Sequence, residues 1–264
     1  MSAQQSRVAE AIRAAGEKRK GALIGYLPVG FPDLDTSVEA AIAMARSGAD
    51  VLELGLPYSD PVMDGVVIQE ATQAALAGGF RVRHVIEAVR RVSEAVDTPV
   101  LVMTYWNPVM QYGVERFARE LAEAGGAGLI TPDITPDAAA EWIEVSERFG
   151  LDRIFLAAPS SSDERLKLVV EAATGFVYTV STMGITGERR ELDAAARSLT
   201  ARLREQGPVI ACVGIGLSTA EQVSAALDYA DGAIVGTAFV RALRDGGVPG
   251  LAETVRTVAA GTAR

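Results

Sequence analysis

The chain of 264 residues is 49% hydrophobic and carries a formal net charge of -9 at pH 7, with 25 lysines and arginines scattered along it. This balance excludes the basic footprint of a nucleic-acid-binding protein, and the length suits a single α/β barrel. The sequence contains neither the apolar core of a signal peptide nor an apolar run long enough to cross a bilayer, so we expect a cytoplasmic protein with no membrane contact.

Short apolar segments alternate with amphipathic helical patterns after a charged helix predicted at residues 6–20. The predicted strands lie at residues 22–27, 50–55, 100–105, 128–132, 153–158, 176–181, 209–213 and 232–235. The predicted helices lie at residues 36–47, 82–96, 114–124, 137–149, 163–173, 193–205, 219–229 and 251–260, with a short helical segment at 238–243.

Near-continuous apolar strands joined by helices indicate a parallel sheet that is covered by helices. Eight such units close most naturally into a (β/α)8 TIM barrel, and a doubly wound open sheet is the alternative. No linker or low-complexity tract interrupts the pattern. We therefore predict one domain over residues 1–264, with the barrel core at about 21–260 and an extra N-terminal helix.

A glutamate interrupts the apolar pattern of the second predicted strand. Period-two alternation puts Glu53 on the face that points into the barrel, and Leu52 and Leu54 on the face toward the helices. A buried carboxylate must be paired, hydrogen-bonded or neutral, yet no carboxyl-terminal strand segment contains a lysine or arginine. We therefore predict that Glu53 is a functional acid near the rim of the barrel.

The residue types that are missing narrow the chemistry further. All three lysines lie outside the predicted strands, which argues against a Schiff-base aldolase. His84 and Cys212 are the only histidine and cysteine, and they cannot form the usual transition-metal cage. We expect His84 on a solvated helix surface and Cys212 in a buried hydrophobic environment. Acid–base chemistry by carboxylates remains, from Glu53 and from Asp60 and Asp64 on the following loop.

Glycines follow the last three predicted strands, at 184–187, 214–216 and 236. Glycine lets backbone N–H groups approach an anion closely, and loops after strands seven and eight are the usual phosphate site of a barrel. We predict a phosphorylated substrate across the barrel mouth, with its reacting end at Glu53. Aromatic residues in or at the ends of strands could line an apolar pocket there: Tyr26, Tyr105, Phe155 and Tyr178.

The second strand and the loop after it read Leu52-Glu53-Leu54-Gly55-Leu56-Pro57-Tyr58-Ser59-Asp60-Pro61, then Asp64-Gly65 and Ile68-Gln69. This segment resembles the most specific signature of the tryptophan synthase α subunit family. The resemblance continues at residues 25–32, 103–108, 158–160, 184–187 and 214–216. The similarity therefore extends from about residue 21 to the final helix.

This resemblance implies retro-aldol cleavage of indole-3-glycerol phosphate to indole and glyceraldehyde 3-phosphate, in tryptophan biosynthesis and without a cofactor or metal. It implies that Glu53 is the acid–base residue and that Asp64 accepts the indole N–H. It places Tyr178 near the reacting side chain, with Tyr105 expected in the same substrate pocket. It implies phosphate binding at the following positions: Gly187, Gly214, Gly216, Gly236 and Thr237.

The family α subunit pairs with a pyridoxal-phosphate-dependent β subunit that receives the indole, so the resemblance implies an α2β2 heterotetramer. It assigns Pro57, Asp60 and Asn107 to the docking surface, and it makes the loop from residue 182 onward a lid that excludes water. Val66 stands where the family commonly has proline, so the loop loses a φ restraint beside this surface.

Two other readings keep the same residues but change the role of the chain. One is a stand-alone lyase that releases free indole without a β subunit. The other is a catalytically weak homologue that serves as a binding module and activates a β-type enzyme. Retention of both Glu53 and Asp64 argues against the binding module.

Overall fold

The structure, a computed structural model, describes residues 6–180, 189–214 and 216–264, and it contains a closed barrel of eight parallel strands. In chain order the strands are β1 (Ala22–Pro28), β2 (Val51–Gly55), β3 (Val100–Met103), β4 (Gly128–Thr131), β5 (Asp152–Ala157), β6 (Val177–Val180), β7 (Ala211–Gly214) and β8 (Gly232–Val235). The register pairs Ile24 of β1 with Ile234 of β8. The predicted TIM barrel is confirmed, and the open sheet is wrong because the first and last strands pair with each other.

Helices surround the barrel. They are α1 (Arg7–Lys18), α2 (Leu34–Arg46), α3 (Val66–Ala77), α4 (Val82–Ala95), α5 (Trp106–Tyr112), α6 (Val114–Glu123), α7 (Ala140–Phe149), α8 (Asp163–Ala172), α9 (Arg189–Gln206), α10 (Ala220–Ala226) and α11 (Thr237–Ala259). Helix α11 is interrupted at Gly247, whose φ is 61°, so its two halves correspond to the two segments predicted at 238–243 and 251–260.

Helices α3 and α5 were not predicted from the sequence. Helix α3 begins after Gly65, which has no side chain to cap the first N–H groups, so the usual start signal is missing. Helix α5 has only 7 residues, too few to show a clear helical period. Both helices lie next to the loops that form the site.

The two faces of β2 pack as the alternation predicts. Val51 belongs to the cluster that fills the barrel interior, whereas Leu52 and Leu54 pack in the layer between strands and helices. Helix α1 closes the bottom of the barrel, where Ile12 joins the interior cluster. At the start of α1, the Ser6 hydroxyl donates a hydrogen bond of 2.7 Å to Asp152. The opposite end of the barrel is the end where the strands finish.

Cys212 and His84, the only cysteine and histidine of the sequence, contribute to packing and to helix capping. Cys212 is fully buried in the barrel interior, and burial raises the pKa of its thiol well above the usual range. His84 is half-buried in the first turn of α4, where its Nδ1 accepts a hydrogen bond of 3.1 Å from the backbone N–H of Arg81. His84 therefore caps its helix in addition to facing solvent.

Two features are absent from residues 6–180, 189–214 and 216–264. No helix in these ranges is long and apolar enough to span a bilayer. The same ranges contain no group of three histidine, cysteine, aspartate or glutamate side chains that could hold a metal ion.

Candidate active site

Glu53 lies in the middle of β2 and faces the barrel interior. Its neighbours in register are Tyr26 on β1 and Leu101 on β3, and its side chain is completely buried. Neither carboxyl oxygen has a hydrogen-bond partner among the described residues. Burial raises the pKa of Glu53 from 4.5 to about 8, because the charged form loses its hydration. The carboxyl group is therefore mostly protonated at pH 7, which is the state that a general acid requires.

Asp64 provides a second carboxyl group in a different protonation state. It is half-buried on the loop between β2 and α3, and burial raises its pKa from 3.8 to about 6. Asp64 is therefore mostly ionised at pH 7, while Glu53 is mostly neutral. Two carboxyl groups with separated pKa values can divide the roles of proton donor and charge stabiliser.

Two tyrosines lie near these acids: Tyr26, which is buried and pairs in register with Glu53, and Tyr178, which is partly buried. Burial raises the pKa of both Tyr26 and Tyr178 well above the usual range, and the negative charges of Glu53 and Asp64 raise them further. This mutual influence means that the four groups lie near one another. Glycine makes room for the tyrosine rings, since a Cβ at Gly55 would overlap Tyr26.

Gly214 has a steric function of the same kind. It is the last residue of β7, and a Cβ at this position would overlap the ring and hydroxyl of Tyr178. Tyr178 can therefore occupy its place only beside a glycine. This packing requirement explains Gly214 without a ligand, and its predicted contact with phosphate stays a prediction.

Tyr105 orients the loop that carries Asp64. Its hydroxyl accepts a hydrogen bond of 2.9 Å from the backbone N–H of Met63, the residue before Asp64. Burial raises the pKa of Tyr105 to about 12, although the hydrogen bond from Met63 opposes that rise. The sequence predicts a pocket wall at Tyr105, and in the structure its hydroxyl also holds the loop that carries Asp64.

Gln69 is a second loop-holding residue, and the sequence motif alone did not reveal its role. Its Nε2 donates a hydrogen bond of 2.8 Å to the carbonyl oxygen of Asp64 and a longer one of 3.4 Å to that of Pro61. Gln69 lies in the first turn of α3. A correct prediction of that helix would have placed its side chain over the loop.

The predicted phosphate-binding residues lie at the ends of neighbouring strands. Gly216 is exposed just after β7, with a φ of 74° that favours glycine, and no atom would lie within 4 Å of a Cβ there. Gly236 precedes α11, and Thr237 is the first residue of that helix. The N–H groups at this helix start have no side-chain cap from Gly236, which suits an anion. Gly187 and the lid predicted from residue 182 lie outside the described residues.

The predicted docking residues differ in exposure. Asp60 and Asn107 are exposed, whereas Pro57 is buried, so in this chain its side chain does not form part of the exposed surface. The two loops are joined, because Asn107 donates a hydrogen bond of 3.1 Å to the hydroxyl of Tyr58, whose ring lies 5.3 Å from that of Tyr105.

Three large apolar side chains on or beside the elements that carry Asp60 and Asn107 are exposed. Val62 is 82% exposed, Val66 is 63% exposed and Met110 is 50% exposed. The first two lie on or beside the loop after β2, and Met110 lies on α5. Large exposed apolar side chains on the elements that carry the predicted docking residues suit a protein interaction surface.

Comparisons with known proteins agree with this arrangement. The family model described as "Tryptophan synthase alpha chain" matches residues 12–260. The chain is 62% identical to the tryptophan synthase alpha chain of Leifsonia xyli subsp. xyli, over 98% of this chain and 99% of that protein. It is 53% identical to the alpha chain of Mycobacterium avium, over 98% of this chain and 95% of that one.

Solved structures give the same result. A structure of Mycobacterium tuberculosis tryptophan synthase superimposes with a TM-score of 0.90 at 50% sequence identity. The match covers 97% of this chain and 97% of that chain. The likeness therefore includes the barrel and both of its ends.

Proposed function

Because the chain belongs to the tryptophan synthase alpha chain family, we propose that Glu53 and Asp64 perform the reaction of that family at the barrel mouth. The enzyme is a carbon–carbon lyase of tryptophan biosynthesis, and it cleaves indole-3-glycerol phosphate to indole and glyceraldehyde 3-phosphate. The relatives favour this reading over a stand-alone lyase.

The first step is protonation of the indole ring. The neutral carboxyl of Glu53 donates its proton to C3 of the ring, which makes the ring an indolenine-like cation. The ionised carboxylate of Asp64 accepts a hydrogen bond from the indole N–H and stabilises the positive charge. The pKa values of about 8 for Glu53 and about 6 for Asp64 supply these two states together near neutral pH.

The second step breaks the carbon–carbon bond. The carboxylate left on Glu53 removes the proton from the hydroxyl on the carbon attached to the ring. The carbonyl of the aldehyde forms as the bond to C3 breaks, and the bonding electrons return to the ring and neutralise it. Glu53 ends the cycle protonated, so no other acid or base is consumed.

The phosphate end of the substrate lies at the loops after β7 and β8 in this proposal. The uncapped start of α11 at Gly236 and Thr237 offers N–H groups and a favourable helix dipole. Gly216 lets the backbone approach the anion without a side chain in between. Gly214 and Gly187 complete the proposed site.

The observation that carries this proposal is the fully buried carboxyl of Glu53, which has no hydrogen-bond partner among the described residues. We expect Glu53→Gln and Asp64→Asn each to lose most of the cleavage activity while substrate binding persists, as measured by steady-state kinetics and equilibrium binding. Glu94→Gln is the control, because Glu94 is an exposed acid on α4 and belongs to neither the proposed catalytic nor the proposed docking residues. Wild-type turnover in Glu53→Gln would show that this assignment is wrong.

The exposed residues on the loop after β2 and on α5 are a candidate docking surface for a partner protein. The family works with a β subunit, and we propose that a pyridoxal-phosphate-dependent β subunit docks on Asp60, Asn107 and the exposed apolar side chains beside them to form an α2β2 complex. Asn107 would transmit docking to the catalytic loop through Tyr58.

Titration of the purified chain with the β subunit tests the partnership. We expect cleavage to accelerate on mixing, and Asn107→Ala to reduce this activation while the basal rate is kept. Glu94→Ala, an exposed change on α4, should leave activation intact. High turnover by the chain alone, with no acceleration on mixing, would instead support the stand-alone lyase.

A further inference from the structure

A groove of about 530 Å³ lies in the helical layer between α4 and α6. Its walls contain more basic than acidic side chains, in a chain whose net charge is -9. The charged residues that line it are Arg83, Arg90, Arg91, Arg116, Glu87 and Glu120. The groove is therefore a local concentration of positive charge on an acidic protein.

Two of these arginines are already paired. Arg91 lies 2.8 Å from Asp35 and 3.8 Å from Glu87. Arg116 lies 2.8 Å from Glu120, and its guanidinium lies 4.2 Å from the centre of the Tyr112 ring. Glu120 and Glu87 thus form ion pairs with these two arginines and with no other arginine of the groove among the described residues.

Arg83 and Arg90 have free guanidinium groups. Both are exposed, and neither makes a side-chain hydrogen bond or ion pair with any residue in the described ranges. They lie two turns apart on the same face of α4, so their Cα atoms are separated by about 10 Å. Two unpaired guanidinium groups consequently border one groove.

Hydrogen bonds link the residues of the opposite wall of the groove. The Tyr112 hydroxyl donates a hydrogen bond of 2.5 Å to Glu120, which also pairs with Arg116. Burial and this hydrogen bond raise the pKa of Tyr112, and the positive charges of Arg116 and Arg83 oppose the rise. Arg83 on α4 therefore faces Tyr112 across the groove.

We propose that this groove is a binding site for a polyphosphate anion. Guanidinium groups match phosphate oxygens with parallel hydrogen bonds, and they keep their charge at every physiological pH. A polyphosphate chain spreads its anionic oxygens along its length and can reach both free arginines, whereas a single phosphate is compact. The backbone groups of α4 and α6 are bonded within their helices, so recognition depends on side chains and not on strand addition.

Calorimetric titration of the full chain with inorganic tripolyphosphate tests the site. Glycerol 3-phosphate is present throughout, to occupy the phosphate site at the barrel mouth. We expect one anion to bind per chain, and Arg83→Gln and Arg90→Gln each to weaken binding by about tenfold through the loss of a charge-assisted contact. Glu87→Gln should tighten binding, because it removes a negative charge from the wall.

Arg204→Gln is the matched control for net charge. Arg204 is a half-exposed arginine on α9, outside the groove, and it pairs with Asp231 at 3.3 Å. Equal weakening by this variant would mean that the anion is attracted by overall charge, and the proposal would fail.

Other outcomes also overturn the proposal. The first is that tripolyphosphate does not bind to the wild-type chain. The second is that tripolyphosphate inhibits cleavage competitively and Arg83→Gln does not change this inhibition. The third is that an acidic peptide binds more tightly than tripolyphosphate. The second result would place the anion at the barrel mouth, and the third would make the groove a peptide site.

Discussion

Replacement of Glu53 by glutamine should stabilise the fold at neutral and alkaline pH while it removes catalysis. The pKa of Glu53 is raised by burial, so the folded chain binds its proton more tightly than the unfolded chain does. For an acid with a raised pKa, stability is fully present below the unfolded value and is lost as pH rises toward the folded value. Because a glutamine side chain does not ionise in this pH range, Glu53→Gln should keep its stability as the pH rises.

The magnitude follows from the two pKa values. The pKa of Glu53 is 4.5 in the unfolded chain and about 8 in the folded chain. At about 1.36 kcal/mol for each pKa unit, this difference lowers the free energy of unfolding of the wild type by roughly 5 kcal/mol at pH values above 8. At pH 7 the loss is roughly 3 kcal/mol by the same relation. These values are a large fraction of the 5–15 kcal/mol that typically separates folded from unfolded domains, roughly speaking.

Urea unfolding at several pH values measures the effect. Between pH 5 and pH 8.5 we expect the free energy of unfolding of Glu53→Gln, minus that of the wild type, to grow by roughly 4 kcal/mol. Glu94→Gln, which changes an exposed acid on α4, should show no such growth. A difference for Glu53→Gln that is independent of pH would refute a neutral Glu53 in the folded chain.

Three further predictions concern the site. The kcat/KM of cleavage should rise with pH through about 6, as Asp64 ionises, and fall through about 8, as Glu53 loses its proton. In Asp64→Asn, the residual kcat/KM should no longer rise with pH near 6. Tyr105→Phe should lower kcat by about tenfold with little loss of stability, because the backbone N–H of Met63 loses its acceptor. Stopped-time assays measure kcat and thermal melts measure stability. An unchanged kcat would show that the Tyr105 hydroxyl does not position the loop. Gly214→Ala should destabilise the chain by about 1–3 kcal/mol in urea, since the new Cβ overlaps Tyr178, and an unperturbed midpoint would contradict that packing.

The alternation of short apolar segments with amphipathic helical patterns was enough to predict the barrel, because each pattern depends only on neighbouring residues. Each strand is a short apolar run bounded by glycine or proline, and period two alone places Glu53 inside the barrel with Leu52 and Leu54 outside. The burial of Cys212 follows from the apolar run around it. These features need only neighbouring residues, so a single sequence carries them, and the signature around Glu53 carries the family.

Tertiary structure decided what depends on distant residues. The apolar position of Glu53 predicts a raised pKa, but the size of that rise, and the smaller rise at Asp64, depend on burial by other strands and loops. The contact of Tyr105 with Met63 joins residues 42 positions apart, and Gly214 is explained only by the ring of Tyr178 on the adjacent strand. Helix α3 lacks a side-chain cap at Gly65, so its own sequence signals it weakly. The sequence thus specifies which groups are available, and packing sets their charge and position.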